Sequence, residues 1–166
     1  PDVILDIHRG YLAVGADIID TDTFGGTPLV LAEYGLAERA RELNRIAAEL
    51  AKQAAAEAET GDRPRFVAGS MGPTTKAISV TGGVTFEALI GHFQEQAAGL
   101  LEGGADLLLL ETQQDTRNVK AGLLGIEAAM RERAREAKAE VKRGVDREAG
   151  VADLLAKIAY MPAADR

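Results

Sequence analysis

The sequence contains no cysteine. That excludes disulfides, thiolate metal sites and cysteine nucleophiles within these residues. No apolar run approaches the roughly 18 residues that a membrane-spanning helix needs, and no signal peptide is visible. A cytoplasmic protein with no membrane partner is therefore the expectation. There is no basic stripe, and the net charge is −7, so nucleic acid and anionic surfaces are poor partners. Histidine is nearly absent: His8 and His92 both fall in helical patterns and read as outer-face or packing residues, not ligands. What remains is a globular composition, 46% hydrophobic and 27% charged over 166 residues. That is enough for one domain with a sizeable core.

The chain is organised around the stretch from Gly103 to Thr116. A glycine pair closes a helical pattern, and Ala105-Asp106 leads into four consecutive leucines. Such a run fits a parallel strand covered on both faces. Glu111 and Thr112 follow with no spacer, and the C-terminal end of a buried parallel strand is where α/β folds place chemistry. The same device occurs at Gly15-Ala16-Asp17, followed by Ile18-Ile19 and the run Asp20 to Thr23. A shift of 89 positions superposes Asp22-Thr23 on Glu111-Thr112. Two matching helix-strand units argue for a repeated βα architecture.

Taken in order, Val3, Ile4, Ile7, Tyr11 and Leu12 mark a helix ended by Gly15, and Ala16 to Asp20 a strand. A long helix is expected from about Leu29 or Glu38 to Ala58. A second strand begins at Arg65 to Ala68, with Gly69 to Thr74 as the loop beyond it. A Gly-, Ser- and Thr-rich segment from Thr75 to Val84 covers a surface, and a helix follows from Gly83 or Thr85. The third strand is Asp106 to Leu110, and the last helix runs to about Met130. Asp17 and Asp106, at the strand starts, read as stabilising residues of the bottom face, and Lys76 and Lys120 as surface. Arg131 to Arg143 has little apolar face and reads as a solvated helix laced with i,i+4 ion pairs. Some amphipathicity returns over Asp146 to Tyr160. The pattern is α/β, about three βα units of a parallel sheet followed by a charged helical tail. Three such strands leave exposed edges, so an incomplete domain is expected.

Three motifs occur in order at successive strand ends: Gly15 to Phe24, Val67 to Thr74, and Glu102 to Thr112. Together with Glu42-Leu43-Asn44 and Asp115-Thr116, they resemble the homocysteine S-methyltransferase family over about residues 1 to 130. The likeness is greatest to the homocysteine-binding module of its cobalamin-dependent, methionine-forming members. The resemblance implies a partial (β/α)₈ TIM barrel over 1–130, with 131–166 as a helical tail or linker that is not family-like. It implies a methyltransferase in which zinc, held by three cysteines on later strands, activates the homocysteine thiolate. It also implies methylcobalamin as donor, remethylated from methyltetrahydrofolate, with folate- and cobalamin-binding modules of the same polypeptide as partners.

Under the same resemblance Glu111 binds the homocysteine amino group, with Thr112, Asp22, Thr23 and Gly72 lining the substrate pocket. Each has a structural alternative: Glu111 as a strand-end cap or ion-pair partner, Asp22 and Thr23 as loop-stabilising side chains, and Gly72 as part of a tight turn. Four departures from the family pattern stand out. The first barrel strand and the cysteine-bearing strands are missing, Asp22 occupies a position usually held by Asn, and the tail does not continue the barrel. The stretch alone is thus expected to be inactive and to lack metal ligands. The alternatives are a homocysteine methyltransferase using betaine or S-methylmethionine, a non-catalytic scaffold, and an unrelated barrel enzyme whose strand-end acids bind Mg²⁺ or Mn²⁺.

Overall fold

A computed structural model describes residues 1–142. The expected features over 143–166, including the amphipathic segment from Asp146, lie outside the described residues. The elements run α1 (Asp2–Ala13), β1 (Ile18–Asp20), α2 (Pro28–Leu31), α3 (Ala40–Ala58), β2 (Phe66–Met71), α4 (Phe86–Glu102), β3 (Leu107–Leu110) and α5 (Thr116–Lys142). The three strands form one parallel sheet in the order β1-β2-β3, pairing Ile18 with Phe66 and Ser70 with Leu109. The mixed α/β class and the parallel sheet agree with the sequence pattern. No helix of the described residues is long and apolar enough to cross a membrane.

Both copies of the Gly-Ala-Asp motif do the same work. Gly15 and Gly104 adopt positive φ, 105° and 90°, which glycine reaches without Cβ strain, and the chain turns from helix into strand. Each aspartate then ties the start of its strand. Asp17 pairs with Arg63 and Arg65. Asp106 accepts from Lys52 Nζ and from the Val67 amide at 2.8 Å.

Alternate strand residues meet the helices. Ile19 and Val67 pack with Leu5, Leu12 and the alanines Ala51, Ala54 and Ala55 of α3. Met71, Leu108 and Leu110 pack with Leu89, Phe93, Ala97 and Leu100 of α4 and Ala121 of α5. The opposite sheet face differs from expectation. Ile18, Phe66, Leu107 and Leu109 are 52%, 42%, 39% and 37% exposed. The leucine run is therefore covered on one face only, because all the described helices that bury strand residues do so from one side and three strands do not close on themselves.

Other boundaries also shift. On α1 the buried residues are Leu5, His8 and Leu12, while Val3, Ile7 and Tyr11 point outward; the helix is apolar on two faces, and only one finds α3. The long helix begins at Ala40, close to the later of its two expected starts, Glu38; from Leu29 the chain passes instead through 3₁₀ turns at Ala32–Tyr34 and Ala37–Arg39, with left-handed Gly35 between them. The β2 strand extends through Met71, so Gly69 and Ser70 are strand residues because they pair with Leu108 and Leu109. Helix α5 continues past residue 130 without interruption. Ala134 is buried and Gln94 of α4 donates to Glu132, so this stretch packs on α4; its first residue, Arg131, makes an i,i+4 pair back to Glu127.

The asymmetry of the sheet has a direct consequence. Leu100→Ala, in the helix-facing core, should cost about 2–5 kcal/mol, whereas Leu109→Ala on the open face should cost about 1 kcal/mol or less. Urea unfolding of the two variants of the full chain checks this; equal costs would mean that the open face is covered.

Candidate functional site

The three strands deliver their C-terminal ends to one edge, and the side chains that converge there come from all of them. Register places Asp20 beside Ala68, and Ser70 beside Leu109, two residues before Glu111. The Glu111 amide continues the ladder by donating to Met71 O at 3.1 Å. Its carboxylate is therefore fixed at the sheet edge. The Ser70 hydroxyl donates to Glu111 Oε1 at 2.6 Å, while among the described residues Oε2 has only the long 3.4 Å contact from Thr112 Oγ1. One oxygen is held and the other is open.

Thr112 has φ 55°. A β-branched residue is rarely left-handed, and such a conformation costs on the order of 1–3 kcal/mol. The strained residue directly follows the carboxylate it helps to orient. Asp20 lies on the same sheet face. Its pKa is raised, first by burial of the carboxyl and then by the negative charge of Glu111. Sequence reading passed over Asp20 in favour of Asp22; the signal available was strand alternation, which puts residue 20 on the face of Ser70 and Glu111.

The loop after β1 is held by a chain of hydroxyls whose direction can be deduced. Thr23 Oγ1 donates to Ser70 O at 2.7 Å, so its contact with Thr21 Oγ1 must be one in which Thr21 donates. Thr21 Oγ1 in turn accepts from the Ser70 amide at 3.0 Å. Both hydroxyl protons are committed within the protein. Asp22, between them, is exposed, and its carboxylate acts on the imidazole of His8. His8 is buried on α1, and that burial lowers its pKa despite Asp22. The Gly72 amide donates to Phe24 O at 2.9 Å, and a Cβ at Gly72 would fall 2.7 Å from the Phe24 ring. Gly72 thus lets that ring lie against the strand end.

Two buried amides fix the loop from behind. Gln96 of α4 donates to Thr23 O and Ser70 O, and Asn44 of α3 donates to Gly26 O. Asn44 belongs to the Glu42-Leu43-Asn44 motif, whereas Gln96 belongs to none and is distinguished only by its place on the buried face of α4. Beyond Glu111, Asp115 caps α5 through the Arg117 amide and also binds Ser79. These hydrogen bonds hold its pKa below the usual carboxylate range, the Ser79 amide contributing most.

The structure thus gathers Glu111, Thr112, Ser70 and Asp20, with Thr23 and Gly72 supporting the neighbouring loop and Asp22 exposed on it. The chain's own residues do not fit a thiolate-held zinc ion. It has no cysteine, and among the described residues no group of three His, Cys, Asp or Glu side chains is placed to hold a metal. What the edge offers is anionic oxygen and hydroxyl, suited to an ammonium group.

Comparison with known proteins gives this geometry a context. Methionine synthase of Mycobacterium tuberculosis is 42% identical over 130 residues, 78% of this chain and 11% of that protein. The crystal structure of the homocysteine methyltransferase MmuM from Escherichia coli, in its metallated form, matches with TM-score 0.62 and 30% identity over 73% of this chain. Its oxidized form matches with TM-score 0.61 at the same identity. The chain spans under half of MmuM and about a tenth of the methionine synthase. The family model of the homocysteine S-methyltransferases matches residues 1–155. With that match and the motifs at successive strand ends, the chain belongs to the homocysteine S-methyltransferase family.

Proposed function

We propose that this chain forms the substrate-amine-binding part of a homocysteine S-methyltransferase of the methionine synthase kind. In that reading residues 1–142 are about three βα units of a (β/α)₈ barrel. The open apolar sheet face supports the barrel, because Ile18, Phe66, Leu107 and Leu109 need further strands to cover them. The boundary between barrel and tail then falls beyond residue 142 and not at 130, since α5 is continuous through that point. Folate- and cobalamin-binding modules belong to other parts of a longer polypeptide; the small share of the methionine synthase that this chain spans supports this.

The observation that carries the reading is the Ser70–Glu111 hydrogen bond at the C-terminal edge of the parallel sheet. Ser70 holds Oε1, leaving Oε2 to accept from the homocysteine ammonium, and Asp20 adds a second negative charge nearby. Methyl transfer to sulfur requires the thiolate. Since the residues present do not fit the zinc ion that would generate it, their part is recognition: they anchor the amino-acid end and thereby aim the sulfur. Thr112 orients Glu111, Thr23 and Gly72 hold the adjoining loop, and Asp22 lines its outer side. The donor, methylcobalamin with methyltetrahydrofolate behind it, draws on no residue assigned here.

Binding of L-homocysteine to the full chain, measured by calorimetry under reducing conditions, tests this. Glu111→Gln should weaken binding on the order of tenfold to a hundredfold, as expected for a charge-assisted contact. Binding of the desamino analogue 4-mercaptobutyrate should not change. Equal effects on both ligands, or none, would remove Glu111 from amine recognition.

The paired carboxylates also have a stability signature. Asp20 has a folded-state pKa above the ordinary 3.8, so the folded chain binds that proton more tightly than the unfolded chain does. The ionised carboxylate therefore lowers stability above the raised pKa, and the penalty disappears below the unfolded value. Asp20→Asn should raise the melting temperature at pH 7 and leave it nearly unchanged at pH 3. A loss of stability at pH 7 would contradict the repulsion.

A further inference from the structure

The segment between β2 and α4 is tied down at its crown by the first turn of α5. The Ser79 amide donates to Asp115 Oδ2 at 2.7 Å and the Ser79 hydroxyl to Oδ1 at 3.1 Å. The Ile78 amide donates to Asn118 Oδ1 at 3.1 Å, and Asn118 Nδ2 donates to Lys76 O at 2.9 Å. Asp115 and Asn118 are 6% and 2% exposed. Within the crown, the amides of Val80, Thr81 and Gly82 all donate to Ala77 O, and Thr81 Oγ1 accepts from the Ala77 amide. The crown is thus a compact turn that can move as a unit. Left-handed Gly82 and Gly83 follow it, and Ile78 packs against the core beneath.

Helix capping alone does not account for Asp115. A cap needs one acceptor, and Asp115 Oδ1 supplies it to the Arg117 amide; serine, threonine or asparagine would serve as well. The second oxygen is spent on the loop. The same turn, residues 111 to 115, carries Glu111 at its other end. At its root the loop leaves β2 just beyond Met71, whose carbonyl accepts the Glu111 amide. The turn is therefore held at both ends, at Glu111 by Met71, the last residue of β2 from which the loop departs, and at Asp115 by the loop crown.

We propose that Asp115 and Asn118 are positioning residues that lock the 73–84 loop to the Glu111-bearing turn, so that loop and carboxylate move as one body. That the body so positioned is a substrate-binding one rests on the reading of Glu111 given above; the mechanical coupling does not.

Residue-resolved amide exchange on the full chain without ligand tests the coupling. Asp115→Asn keeps the cap acceptor but sets an amide donor against the Ser79 amide. Asn118→Ala removes the second tether while favouring helix. In both variants the Ile78 and Ser79 amides should exchange on the order of tenfold to a hundredfold faster. The Glu111 amide should accelerate with them, while that of Leu89 in the first turn of α4 keeps its rate. Unchanged exchange at residues 78 and 79 would overturn the proposal. So would acceleration there with Glu111 at its original rate, since the tether would then be local to the loop. Coupling present with no loss of homocysteine binding in Glu111→Gln would leave the clamp standing and the substrate reading refuted.

Discussion

Every polar atom of Ser70 is engaged, and the candidate site depends on that residue more than on any other. Its amide binds Thr21, its carbonyl accepts from Thr23 and Gln96, and its hydroxyl holds Glu111. One residue of the central strand thus joins the loop after β1, the helix α4 behind the sheet and the carboxylate after β3. Ser70 is buried, and an unpaired polar group there would cost about 1–3 kcal/mol. The partners are therefore held to it as firmly as it is held to them. A carboxylate fixed in this way meets an incoming cation without first having to be ordered.

The surrounding fold exists to bring three strand ends to one edge. The alanine-rich faces of α3 and α4 sit close to the sheet, and Asp17 and Asp106 pin the opposite ends of β1 and β3. Stability is concentrated on the helix-facing side and at the bottom of the strands. The top edge carries features that oppose stability: left-handed Thr112, and an Asp20 that feels the negative charge of Glu111. Local rules broken at one edge of an otherwise consistent structure are the usual mark of a site that is selected for binding.

Much of this was legible in the sequence. The repeated Gly-Ala-Asp device located two strands and their bottom-face anchors, and Glu111 was marked by its place directly after the leucine run. The errors have physical causes. Four leucines read as a strand buried on both faces because hydropathy cannot say whether a covering partner is present. Two starts stayed open for the long helix, Leu29 and Glu38, because a lone glycine such as Gly35 is compatible with both a helix and a break; the later one lies close to the observed Ala40. Asp20 and Gln96 were missed since their importance lies in which face they share, and that depends on a register set by pairing partners some fifty residues away or more. Asp22 stood out in a motif and lies exposed on the loop after β1.

Under the proposed function, Ser70 and Glu111 act together on the substrate amine. A double-mutant cycle of Ser70→Ala and Glu111→Gln, read as L-homocysteine affinity, measures that coupling directly. The account predicts that Ser70→Ala weakens binding several-fold in the parent chain and leaves it unchanged once Glu111 is gone. Additive losses in the two backgrounds, or no loss from Ser70→Ala in the parent chain, would contradict it.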